Sequence, residues 1–68
     1  MNIQHKVGKK VKAFRVKAGI SQETLSHLAD LDRTYIPSIE KGERNISITV
    51  LGKLAKALKV SMKDFFDE

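Results

Sequence analysis

Apolar residues recur along this chain three and four positions apart, the period of helices buried on one side. Val7, Val11, Phe14 and Ala18 form one such stripe. They predict a first helix from about Ile3 to Ala18 that stops at Gly19. Leu25, Leu28 and Ala29 form a second stripe on a helix opened by Gln22 and Glu23 and ending near Ala29. Ser21 precedes it as an N-cap, its hydroxyl able to accept from a free backbone N–H of the first turn. Asp30 then tolerates the left-handed conformation of a sharp turn. Leu31 drops back to the core, and Asp32 stands as the cap of a third helix, anchored by Ile36 and Ile39 and stopped at Gly42. Leu51, Leu54, Ala55 and Leu58 predict a fourth helix, from a Ser47 cap to about Leu58. Ser61 and Asp64 have the spacing of a capping box for one last helical turn, Met62 to Phe66.

The stretch from Ser21 to Gly42 is therefore two short helices joined by a tight turn, a helix-turn-helix, and the other elements read as its support. Only Ile46 to Val50 resembles a strand, and it is too short and isolated to build a sheet. Gly52 inside the fourth helix costs about 1 kcal/mol relative to Ala, which predicts close helix packing there. Pro37 admits two readings. If the third helix begins at Arg33, its ring distorts the first turn. If the helix begins at Tyr35, Pro37 lies within the first turn and costs little.

The chain has 68 residues and no cysteine, so a single small all-α domain spanning 1–68 must be stabilised by packing or oligomerisation and not by disulfides. Its net charge is +5 and its pI near 9.8, values of a domain that meets a polyanion. Lys6, Lys9, Lys10, Lys12, Arg15 and Lys17 crowd the first helix with no acid among residues 1–18. Each of these lysines also fits a merely solvated face. A basic amphipathic helix on an anionic membrane is a further reading, disfavoured because the narrow apolar stripe is wanted by the core. No apolar run approaches the ~20 residues that span a bilayer, and the expectation is a soluble, cytoplasmic, bacterial or phage-like protein. His5 and His27 lack metal spacing, no serine sits in a nucleophile motif, and the glycines at 8, 19, 42 and 52 are scattered. No enzyme activity, metal or cofactor is expected.

Arg15, then Ser21-Gln22-Glu23, Leu25, Leu31, Ile36, Ile39-Glu40-Lys41-Gly42, and later Leu51, Leu54, Ala55 and Leu58, together resemble the phage-repressor or XRE (Cro-like) family of five-helix DNA-binding domains. Within it, Leu31 to Ile36 followed by Glu40, Arg44 and Asn45 most resembles restriction-modification controller proteins. The resemblance covers nearly the whole chain. It implies a compact five-helix repressor-like fold and sequence-specific binding of double-stranded DNA, with transcription regulation as the output, by blocking or recruiting RNA polymerase at a promoter. Asp30 departs from the glycine usual at that turn.

Arg15 falls close to the apolar stripe, where a charge needs a partner, and Glu40 is the candidate. The family resemblance implies that this pair ties the first helix to the end of the recognition helix beside a DNA phosphate. A helix near Arg33 in the major groove would offer Arg33 to guanine O6 and N7, Thr34 to a thymine methyl or polar edge, and Ser38 one turn on. Tyr35 could reach a base or the backbone, or pack at the rim. Gln22, through its amide and neighbouring N–H groups, and Arg15, Lys41, Arg44 and Asn45 are the candidate backbone contacts. Lys41 and Arg44 also fit merely solvated loop charges, and Asn45 a residue that caps or turns the chain into the fourth helix.

Phe65 and Phe66 are adjacent and must point in different directions. Either one completes the core and the other is exposed, or both are core. An exposed ring would serve a two-fold dimer on a pseudo-palindromic operator, with Val50, Met62, Phe65 and Phe66 as its surface. An antitoxin or mobile-element repressor shares this fold. A helical protein-interaction module is the reading from another class, and predicts weak, sequence-indifferent DNA affinity that vanishes at physiological salt.

Overall fold

The computed structural model describes residues 2–67. Among them are four α-helices, α1 (Ile3–Lys17), α2 (Gln22–Leu28), α3 (Tyr35–Glu40) and α4 (Ile48–Leu58), followed by a 3₁₀ turn, Met62–Phe65. The five α-helices implied by the resemblance are thus four. The fifth segment closes through i→i+3 bonds, Asp64 N to Ser61 O at 3.0 Å and Phe66 N to Lys63 O at 2.9 Å. Its capping box also returns the Asp64 carboxylate to Ser61 N at 2.9 Å, a tight closure that favours the 3₁₀ form. No helix among the described residues is long and apolar enough to cross a membrane.

Each helix starts at a side-chain cap or a turn that replaces one. Asn2 Oδ1 accepts from His5 N at 2.8 Å, Ser21 Oγ from Thr24 N at 3.0 Å, and Ser47 Oγ from Val50 N at 3.1 Å. All four α-helices end in one way. The residue after the last helical turn takes a positive φ: Gly19 at 73°, Asp30 at 55°, Gly42 at 74° and Lys59 at 59°. The next N–H reaches back to close the helix, as in Ile20 N to Arg15 O at 3.3 Å and Leu31 N to Ser26 O at 2.9 Å. Glu43 N to Ser38 O and Val60 N to Ala55 O, both at 3.0 Å, repeat the pattern of a Schellman closure.

The core is one cluster of Val7 and Val11 from α1, Leu25 and Ala29 from α2, Ile36 and Ile39 from α3, four α4 residues and Phe65. Burying each large apolar side chain contributes about 1.5–3 kcal/mol, which sums to the main force holding these short helices. Phe65 is fully buried and meets Phe14 edge to face, with ring centroids 5.8 Å apart. Phe66 is 42% exposed.

Three expectations about burial need correction. Ala18 is exposed, because α1 ends at Lys17 and the chain turns through Ala18 and Gly19. Leu28 is 58% exposed, and Ser26 is buried in its place, its hydroxyl returned to Glu23 O at 2.7 Å. A seven-residue helix wedged between two partners turns only Leu25, Ser26 and Ala29 inward. Gly52 has open space beside it. The glycine that permits close packing is Gly8, where an added Cβ would lie 2.2 Å from Ile39 O.

Candidate nucleic-acid interface

The third helix begins two residues later than the near-Arg33 start expected. Asp32 caps the turn ahead of it. Its Oδ1 accepts from Thr34 N at 2.9 Å and Thr34 Oγ1 at 3.0 Å, and its carbonyl accepts from Tyr35 N at 2.9 Å. These bonds hold Arg33 and Thr34 in an exposed turn, and they also hold the Asp32 carboxyl below the usual carboxylate range, the backbone bond contributing most. With the helix starting at Tyr35, Pro37 is the third helical residue, where an N–H would have no intrahelical partner. The ring therefore fits without distortion, and Lys41 N still reaches Pro37 O at 3.1 Å.

Behind this turn, α1, α2 and α3 meet at one carboxylate. Arg15 Nε lies 2.6 Å from Glu40 Oε2 and Nη2 3.2 Å from Oε1, while Nη1 donates to Ile20 O at 2.9 Å. Gln22 Nε2 donates to the same Oε1 at 3.1 Å. The Arg15 and Glu40 side chains are only 13% and 4% exposed. Glu40 raises the Arg15 pKa above its ordinary value, mainly through the hydrogen bond and against the effect of burial. The Gln22 amide nitrogen, expected to face a phosphate, is thus committed within the protein.

A second cluster links α3 to the loop after it. The Arg44 guanidinium sits 4.1 Å from the centre of the Tyr35 ring, a cation–π stack, and Arg44 Nε donates to Ser38 Oγ at 2.9 Å. The Ser38 hydroxyl donates in turn to Tyr35 O at 2.9 Å. Tyr35, Ser38 and Arg44 form one half-buried unit beside the exposed Arg33–Thr34 turn, with Lys41 exposed between them in sequence. Asn45 does not cap α4, which Ser47 does. Its side-chain oxygen accepts from the Gln4 amide and fastens the loop to the start of α1.

Beside the Gln4–Asn45 bond, Ile3, Val7, Ile46, Leu51 and Phe66 line an open depression of about 150 Å³. Ile48, 80% exposed, adds to the unburied apolar residues of this chain. Of the four residues assigned to self-association, Phe65 cannot take part, because it is wholly inside the core. Val50 and Met62 are half-buried against the core and Phe66 is exposed. Ile3 and Ile48 were not assigned from the sequence. Ile3 falls on the helix-opening turn, and Ile48 directly follows a cap, positions where an apolar residue carries no periodic signal.

A family model described as helix-turn-helix matches residues 11–65. The chain belongs to this helix-turn-helix family. The control protein C.BamHI of Bacillus amyloliquefaciens is 46% identical over 67 residues, covering 97% of this chain and 83% of the relative. The crystal structure of the restriction-modification controller protein C.AhdI from Aeromonas hydrophila superposes with a TM-score of 0.90 at 40% identity, over 93% of this chain and 96% of that one. A third relative, the controller protein C.Esp1396I, is 39% identical with a TM-score of 0.87, over 97% of this chain and 87% of its own. Its structure is of a tetramer in complex with its natural 35-base-pair operator. Helix-turn-helix architecture in this chain thus comes with relatives named as control proteins, and the exposed turn ahead of α3 is the element to test.

Proposed function

We propose that this chain is a sequence-specific, double-stranded DNA-binding transcriptional regulator of the controller type, acting in the cytoplasm as a dimer on a pseudo-palindromic operator. The observation that carries this reading is the Arg33–Thr34 turn, exposed at the front of α3 and flanked by the Tyr35–Arg44–Ser38 unit. Arg33 is free to meet guanine O6 and N7, and Thr34 offers its methyl to a thymine. Arg44 stacks on the Tyr35 ring at the start of α3, so the ring enters a groove with little rotamer freedom left to lose. Ser38, with its proton given to Tyr35 O, positions Arg44 more than it reads a base.

Backbone contacts fall to Lys41, to Arg44 and to the first N–H groups of α2, which no intrahelical carbonyl can reach. Arg15 and Gln22 act chiefly through Glu40, fixing α2 and α3 at one angle to α1. Asn45 sets the loop that carries Arg44. The dimer face is the surface of Phe66, Met62 and Val50, extended by Ile3 and Ile48. The operator complex of the relative C.Esp1396I supports the same assignment of DNA as ligand.

The test is selection of bound sequences from a random duplex library, followed by titration of the winner and a scrambled duplex at near-physiological salt. The expected result is a two-fold symmetric motif bound at least roughly a thousandfold more tightly than the control. Arg33→Ala should remove about 1–3 kcal/mol of that preference. Equal, weak binding to both duplexes would overturn the reading in favour of a protein-interaction module.

A further inference from the structure

The helix α2 packs on α3 along one side and on α4 along the other. On the α4 side its C-terminal end borders an open groove of about 540 Å³, which the DNA-reading proposal does not use. The floor is apolar, made by Ala57 and by Leu28, which α2 leaves more than half exposed. The α4 wall carries Lys53 and Lys56, three apart and so on one helical face, and Lys59 follows in the left-handed residue that closes the helix. All three are exposed, and among the described residues none has an ion-pair partner.

We propose that this groove docks an acidic amphipathic helix of a partner protein. Carboxylates of the partner would meet Lys53, Lys56 and Lys59, and a leucine-sized side chain would lie on Leu28 and Ala57. Charge complementarity fixes the sign of the partner, since three exposed lysines of the groove outnumber its one acid, Asp30. The apolar floor distinguishes a protein from a nucleic-acid backbone. Phosphates would use the lysines alone and would gain nothing from Leu28. A peptide face uses both parts, the lysines guiding encounter and the apolar contact supplying residence time. The inference stands whether or not α3 reads bases.

The probe is a fluorescein-labelled peptide of about 15 residues, long enough for an isolated helix to be marginally stable, with Glu and Leu at helical spacing. Anisotropy titrations compare it with a scrambled peptide of the same composition and with a random duplex. The proteins are the wild-type chain, the double variant Lys53→Glu/Lys56→Glu, and Leu28→Gln. These side chains are solvent-exposed, so the variants should keep their fold, which circular dichroism checks. The patterned peptide should bind at least about tenfold more tightly than the scramble, and both variants should lose that preference. Two results would overturn the proposal. One is equal binding of the two peptides. The other is a preference untouched by Leu28→Gln, which would mark the face as a general anion surface.

Discussion

The joint between α1 and α3 and the turn ahead of α3 lie on the same helix pair but are built oppositely. At the joint, the Gly8 backbone presses on the end of α3, and a nearly dry carboxylate gathers donors from Arg15 and Gln22. At the turn, Arg33 and Thr34 face water, and their conformation hangs on one carboxylate, that of Asp32. The difference separates stability from recognition. Damage at the joint should unfold the domain, whereas damage at Arg33 should leave stability within about 0.5 kcal/mol and act only on binding.

The sharpest way to break the joint is Gly8→Ala. Alanine is favoured over glycine in a helix by about 1 kcal/mol, so propensity alone predicts a gain. The new Cβ would lie 2.2 Å from Ile39 O and 3.1 Å from Glu40 O, both backbone atoms that cannot swing aside. Overpacking of this kind costs about 3 kcal/mol or more, comparable with the whole net stability of so small a core. Urea denaturation should find the variant largely unfolded, and a rise in midpoint would refute the close approach. Glu40→Ala comes next, at about 3 kcal/mol, because it leaves the Arg15 guanidinium buried without its counterion. Removing both partners, in Arg15→Met/Glu40→Ala, should recover much of that loss. If the double variant were no better than the single one, the pair's charge would not be what the joint depends on.

The contrast also explains what the sequence made legible. Helix periodicity and Ser caps are local, and α4 runs from its Ser47 cap to Leu58 as its stripe predicts. Asp30 takes the left-handed conformation expected of it. Most of the failures are non-local. Gly8 and Gly52 look alike in a helical pattern, and only the crossing of α1 over the end of α3 says which is needed. Leu28 fits an apolar period, but α2 is too short for its neighbours to cover that side. The start of α3 was a contest between Asp32 as a helix cap and Pro37 as a first-turn residue, and the proline prevailed. In the candidate site, Tyr35, Ser38 and Arg44 can each be named from the sequence, but their contact depends on how the loop after α3 folds back.

Asp30→Gly probes the turn from the other side. A non-glycine residue at φ 55° carries a left-handed penalty of about 1 kcal/mol, and glycine does not. Its stability in urea denaturation should rise by up to that amount, the gain reduced by the greater freedom of glycine in the unfolded chain. No change in the midpoint would mean that the Asp30 side chain offsets the strain by bonding locally.

The smallest effect expected is the one that isolates the turn proposed to read DNA. Thr34 donates to Asp32 through both its N–H and its hydroxyl, and so lowers the pKa of that carboxyl from its ordinary value of 3.8. A carboxyl held lower in the folded state binds its proton more readily when unfolded. The stability it contributes is therefore complete above about pH 4, and is lost as the pH falls through the depressed folded value. Asp32→Asn keeps an acceptor oxygen but removes the titration. Its stability difference from the parent should be largest near neutrality and shrink as acid protonates Asp32 in the parent. Binding of the selected operator should weaken together with that difference if the turn must be held in place for Arg33 to reach a base. A difference that stays constant from pH 7 to acid would mean that the charge on Asp32 does not hold the turn. Thr34→Val, which deletes the hydroxyl but keeps the N–H, then sharpens the assignment: the acid-sensitive part should fall and not vanish, since the backbone bond is the larger cause.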